Sequence, residues 1–146
     1  CNATPLIALA KIDKVDLLRE LFEEIYIPEA VYDDVVTRGR NRSGTDEVKN
    51  ANWIKRKSVR NRMMVKLFLA ELDRGEAEVL VLANEINADK VIIDERKGRN
   101  AAELAGLGII GTVGIILLAK RQGKIRSVKE LLDKLKDEDF RLSNCV

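Results

Sequence analysis

The chain has 146 residues, 46% hydrophobic and 34% charged, with a formal net charge of +2. That is the length and balance of one globular domain with a real core. No apolar run approaches the ~18 residues that span a bilayer, and residues 6–10 are too short and lack the basic region of a signal peptide. There is no histidine, which excludes a Ser-His-Asp triad, a Cys-His pair and an HExxH zinc site. Cys1 and Cys145 lie at opposite ends and build no disulfide framework. Free thiols in a reducing cytoplasm are the expectation.

The apolar spacing of residues 6–12 and 17–22 predicts two short helices, with Asp16 capping the second. Ile25, Tyr26 and Ile27 read as a buried strand. Pro28 suits the first turn of a helix that runs to Asp34, because its missing N–H has no partner there anyway. A polar, basic connection follows, in which Ser43 is placed to cap a short helix. Residues 53–59 fit strand or loop equally. Residues 63–72 predict a helix buried over much of its surface, and residues 76–86 repeat helical spacing. Then come a strand over 90–94, a polar helix over 97–104, a short strand at Ile109-Ile110 and an apolar helix over 113–119 capped by Thr112. Ser127 and Glu130 have capping-box spacing for a last helix. Alternating strands and helices argue α/β with a largely parallel sheet. A buried strand needs ~5 residues and only Cys1 precedes Asn2, so the expectation is a first strand cut short ahead of Cys1.

Four oxygen-bearing residues stand where such a chain reverses. Asp94 ends the apolar run Val91-Ile92-Ile93, Asn2 opens the first helix, and Asp34 and Glu76 come from helices over the same edge. Functional groups of open α/β sheets gather at the carboxyl ends of strands, and hard cations such as Mg²⁺ take oxygen ligands. Each acid also has a plainer use. Asp73 and Glu76 have capping-box spacing, Asp94 is placed to cap the helix after it, Asp34 fits a solvated helix face, and Glu78 reads as an exposed helix residue. There is no P-loop, and Gly106-Leu107-Gly108 is too short for a dinucleotide fingerprint. Charge is uneven: residues 37–62 hold nine basic residues against Asp46 and Glu47, a local +7, and the remainder is −5. A basic patch on an acidic body fits a polyanion.

The segments Asn2-Ala3-Thr4-Pro5-Leu6-Ile7, Ile27-Pro28-Glu29-Ala30-Val31-Tyr32-Asp33-Asp34-Val35, Gly75-Glu76-Ala77-Glu78, Ile92-Ile93-Asp94-Glu95-Arg96 and Ile110-Gly111-Thr112, in this order, resemble the PIN-domain nucleases. The likeness is strongest to the toxins of VapBC-type toxin–antitoxin systems. It implies a single domain over residues 1–146, a PIN-like three-layer α/β fold with a mostly parallel central sheet flanked by helices, and Mg²⁺- or Mn²⁺-dependent hydrolysis of RNA. It also implies a cognate antitoxin, a homodimer and a cytoplasmic setting. Asp34, Glu76 and Asp94 take the family's acidic metal positions, with Thr4 and Thr112 as supporting hydroxyls. The first acid of the pattern falls on Asn2, whose amide oxygen can coordinate a cation but brings no charge. Arg96 and Arg99 would meet the phosphate at the site. Arg38, Arg40, Arg42, Lys55, Arg56 and Lys57 would track the RNA backbone. Asn2 also keeps open a non-catalytic RNA- or protein-binding module. A phosphoacceptor domain could end a strand at Asp94 too, but leaves the +7 segment without a role.

Overall fold

Four short strands among the described residues, all paired in parallel, organise the molecule. The structure, a computed structural model, describes residues 1–39 and 42–138; Arg40 and Cys145 lie outside them. β1 (Ile25–Pro28) pairs with β2 (Ile54–Lys57), Ile25 opposite Ile54 and Pro28 opposite Lys57. β3 (Lys90–Ile92) pairs with β4 (Gly108–Ile110), Lys90 opposite Gly108 and Ile92 opposite Ile110. The protein is α/β, and the hydrogen bonds divide the expected central sheet into two parallel pairs. Between the pairs runs the backbone of the first two residues. The Cys1 nitrogen donates to the Tyr26 carbonyl and the Asn2 amide to that of Ile92, each at 2.9 Å. The order across the molecule is therefore β2, β1, Cys1-Asn2, β3, β4.

Nine α-helices are present among the described residues: α1 (Ala3–Lys11), α2 (Asp16–Phe22), α3 (Glu29–Tyr32), α4 (Thr45–Asn50), α5 (Arg62–Phe68), α6 (Arg74–Glu85), α7 (Arg96–Leu104), α8 (Thr112–Arg121) and α9 (Val128–Asp137). α6 packs on both β1 and β3 and so ties the two pairs together. It is buried all round, from Gly75 to Ala83, as a helix with apolar residues on every face must be. Leu6, Leu9, Leu18, Ile27, Ile93 and Ile115 are fully enclosed in the main core.

Several local expectations give way to packing. α5 buries only Val65; Met63 and Leu67 are 75% and 69% exposed. The helix is two turns long and meets its neighbours along one line, Val65 packing with Ala77 and Val81 of α6 in a separate small cluster. α8 is the reverse case: its Ile115, Ile116 and Ala119 are core, so its apolar face is not free for a partner. Asp16 and Thr112 lie inside α2 and α8, whose caps Val15 and Gly111 use no side chain. Ser127 does cap α9, accepting from the Glu130 amide at 3.2 Å.

α3 does not stop at Asp34. It passes into a π-helical turn, Asp33–Thr37, the kind of local insertion that re-aims side chains. Thr45 holds this turn from outside, its hydroxyl 2.9 Å from the Val35 carbonyl and 2.7 Å from that of Gly39. Gly39 itself abuts the Val35 carbonyl so closely that a side chain there would collide with backbone.

Candidate functional site

Gly75, in the first turn of α6, is the point on which the site converges. A β-carbon there would stand 3.2 Å from Asn2 Oδ1, 3.5 Å from Asp34 Oδ2 and 3.6 Å from Asp73 Oδ1. Three separate elements deliver these oxygens. Asn2 is the buried N-cap of α1, its Oδ1 accepting from the Ala3 amide at 2.9 Å. Asp34 comes from the π-helical turn. Asp73 is the N-cap of α6 and forms the reciprocal capping box with Glu76: the Glu76 amide donates to Asp73 Oδ1 at 2.8 Å, and the Asp73 amide to Glu76 Oε1 at 3.1 Å.

Electrostatically this is a crowded place. Burial pushes the Asp34 carboxyl above its ordinary 3.8; Arg38 and Arg74 oppose that, and the charges of Asp73 and Asp33 reinforce it. Arg38 Nη1 lies 3.7 Å from Asp34 Oδ1. Glu76 is only 6% exposed, and burial lifts its carboxyl above 4.5 against the hydrogen bond from Asp73. Its Oε2 is enclosed and accepts no hydrogen bond from the described residues. Gly98 of α7 faces that oxygen, leaving no room for a side chain: a β-carbon would come within 2.9 Å.

Asp94 follows β3 and is 3% exposed. Its Oδ1 accepts from the Thr112 amide at 2.7 Å and its Oδ2 from the Thr112 hydroxyl at 2.6 Å. Thr112 thus serves Asp94 rather than its own helix. A β-carbon on Gly111 would stand 2.7 Å from Asp94 Oδ1 and 2.9 Å from Arg99 Nη1, so the guanidinium sits beside the carboxylate. Asn2 and Asp34 are brought together, with Glu76 joined to them through Asp73; Asp94 is held by Thr112 next to Arg99. Among the described residues, no three acids or thiols are grouped closely enough to hold a metal ion by themselves.

The basic residues divide. Arg56 places Nη2 2.7 Å from Glu29 Oε2 and its guanidinium 3.9 Å over the Tyr32 ring. Lys55 and Lys57 are exposed on β2, and Arg96 is exposed at the start of α7. Arg42 lines a cleft of about 420 Å³ with Ile7, Lys11, Asp34 and Val35. Thr4 is half-buried in the first turn of α1.

Glu78, too, departs from its sequence expectation. Glu78 is 1% exposed, not solvated. Its Oε1 accepts from the Ala30 amide at 3.1 Å, and its Oε2 from Arg62 Nη2 and Arg74 Nε at 3.3 Å each. Arg74 reaches on to Asp33 Oδ2 at 3.3 Å, so this buried acid braces α3, α5 and α6 beside the turn that presents Asp34. Its spacing of four from Arg74 was the available signal.

Parallel strands whose flanking segments bring the buried Asn2 and the exposed Asp34 and Asp73 to one helix end define an α/β domain with side-chain oxygens gathered at one edge. A family model described as a PIN domain matches residues 1–146, and the chain belongs to the PIN-domain family, whose members are generally nucleases. No curated protein and no solved structure matches it.

The chemistry of these side chains is that of a hard cation's ligands: all are oxygens, one buried carboxylate oxygen accepts no hydrogen bond from the described residues, and Mg²⁺ needs only one or two carboxylates because it keeps several waters.

Proposed function

We propose that the chain is a Mg²⁺- or Mn²⁺-dependent endoribonuclease, the toxin of a cytoplasmic toxin–antitoxin pair. The observation that carries this reading is the approach of Asn2 and Asp34 oxygens to Gly75, with the buried Glu76 Oε2, unpartnered among the described residues, in the same turn. Asp34, Glu76, Asp94 and Asn2 would hold the cation. What it supplies when bound is activation of water and neutralisation of charge at the phosphate. Arg99 and Arg96 engage the phosphate at the site, Arg99 already lying next to Asp94. Lys55, Lys57 and Arg42 draw in the RNA backbone. Thr112 orients Asp94 through two hydrogen bonds, and Thr4 supports Asn2. A cognate antitoxin and a second copy are the protein partners. Among the apolar side chains left exposed, Leu67 on α5 and Leu104 on α7 line one cleft, the surface on which either would rest.

Asn2 favours a second reading. An amide brings no charge and cannot act as a base, and a PIN-like module that binds RNA or protein without turnover would tolerate it. Purified protein and an Asp94→Asn variant, each given a mixed structured-RNA pool with and without Mg²⁺ or Mn²⁺, separate the two. Metal-dependent cleavage abolished by the substitution is expected; RNA binding with no cleavage by either protein would replace the nuclease with the binding module.

A further inference from the structure

The charge of Arg56 is answered within the chain, but its flat guanidinium is not covered. Nε and Nη2 both lie 2.7 Å from Glu29 Oε2, and the guanidinium carbon stands 3.9 Å over the centre of the Tyr32 ring. One edge and one face of the group are thereby fixed. The side chain is still 48% exposed, so solvent reaches the other face.

Holding the fold together does not account for this arrangement. β1 pairs with β2 from Ile25 opposite Ile54 to Pro28 opposite Lys57, and α3 follows β1 without a break. Arg56 therefore links two elements that the backbone already holds side by side. An exposed ion pair and an exposed cation–π contact each contribute little. What they do together is hold a flat cation in one orientation, so that a partner arriving on its open face has little side-chain freedom left to remove. A phosphate is the wrong partner, because it would compete with Glu29 for the same charge. A nucleobase is the right one, since unpaired bases stack on guanidinium planes as they do on aromatic rings. The place also fits a strand of RNA. Tyr32 ends α3 and the turn after it carries Asp34, while Lys55 and Lys57 are exposed on β2 to either side of Arg56.

We propose, on the RNA reading above, that Arg56 lying on Tyr32 is a stacking seat for one unpaired base, beside the turn that presents Asp34. Lys55 and Lys57 hold the strand by its phosphates; Arg56 holds it by a base.

The test uses the full chain in chelator, so that no RNA is cut, and fluorescence anisotropy of two labelled single strands of equal length. One is an oligoadenylate, and the other is the same ribose-phosphate chain carrying abasic sites. Arg56→Lys keeps the charge and removes the plane. It should weaken oligoadenylate binding at least about fivefold, as loss of a stacked base does. Binding of the abasic strand and the slope of log K against log salt should stay as in the parent. Glu29→Gln instead releases the charge of Arg56, and should steepen that slope by about 0.7 on both strands. Both substitutions change partly exposed side chains, and circular dichroism should show each variant folded. Equal loss on the two strands from Arg56→Lys, or loss on neither, would reduce Arg56 to a brace between β2 and α3 and leave the RNA reading standing. A parent-like slope from Glu29→Gln would overturn the neutralisation on which the seat depends. A parent chain that binds neither strand would overturn the RNA reading and the seat together.

Discussion

Glu78→Ala tests how much of this fold hangs on one buried carboxylate. Glu78 is 1% exposed, with Oε1 on the Ala30 amide and Oε2 on Arg62 and Arg74. Truncation strands the Ala30 N–H away from water, which costs about 1–3 kcal/mol. It also removes one buried methylene group, Cγ, at roughly 0.8 kcal/mol. The two arginines, 55% and 48% exposed, turn back to solvent and add little. The sum is about 2–4 kcal/mol, a fall in unfolding temperature of roughly 10 °C for a chain of this size. Glu78→Gln keeps the acceptor for Ala30 and loses only the ion pairs, so it should cost about 1 kcal/mol. Urea unfolding followed by circular dichroism measures both. An alanine variant within about 0.5 kcal/mol of the parent, or a glutamine variant as damaging as alanine, would sink the reasoning.

Glu76→Gln should act in the opposite direction. Burial holds the Glu76 carboxyl above 4.5, so the folded chain binds that proton more tightly than the unfolded one; this contribution is greatest in acid and is lost as pH rises through the folded value. In chelator the variant should therefore gain on the parent between pH 4.5 and 7, by about 1–2 kcal/mol; equal stability across that range would contradict an uncompensated buried carboxylate. Gly98→Ala forces a methyl to within 2.9 Å of Glu76 Oε2 and 3.0 Å of Ile93 Cγ2. It should destabilise by about 1–3 kcal/mol, and thermal unfolding unchanged from the parent would mean that α7 shifts freely.

What the sequence discloses here is pattern, and what it withholds is partnership. The strands over residues 90–92 and 108–110 and the capping box at Asp73 and Glu76 follow from local rules, and the structure has them. Glu78 looked solvated because charge normally is; only the distant Ala30 amide and Arg62 make its burial tolerable. The apolar run of α5 looked buried because hydropathy counts side chains without asking what lies opposite. Asp94 and Thr112 lie eighteen residues apart, and no local rule could say that the hydroxyl would serve the acid before its own helix. Around Gly75, a capping box readable from spacing meets Asn2 and Asp34 only when α1 and the π-helical turn are folded against it.

The capture of Arg56 by Glu29 and Tyr32 bears on how ionic strength would govern RNA uptake. The segment 37–62 carries a formal +7, yet Arg38, Arg56 and Arg62 are each within reach of an acid of this same chain. A cation with a resident counter-charge releases few counterions when a phosphate arrives. Each phosphate newly neutralised on a single strand steepens the fall of log K with log salt by about 0.7. Lys57→Gln should accordingly flatten that slope by about 0.7, and Arg56→Gln should leave it nearly unmoved. The field an RNA meets is set by the charge that folding leaves unpaired.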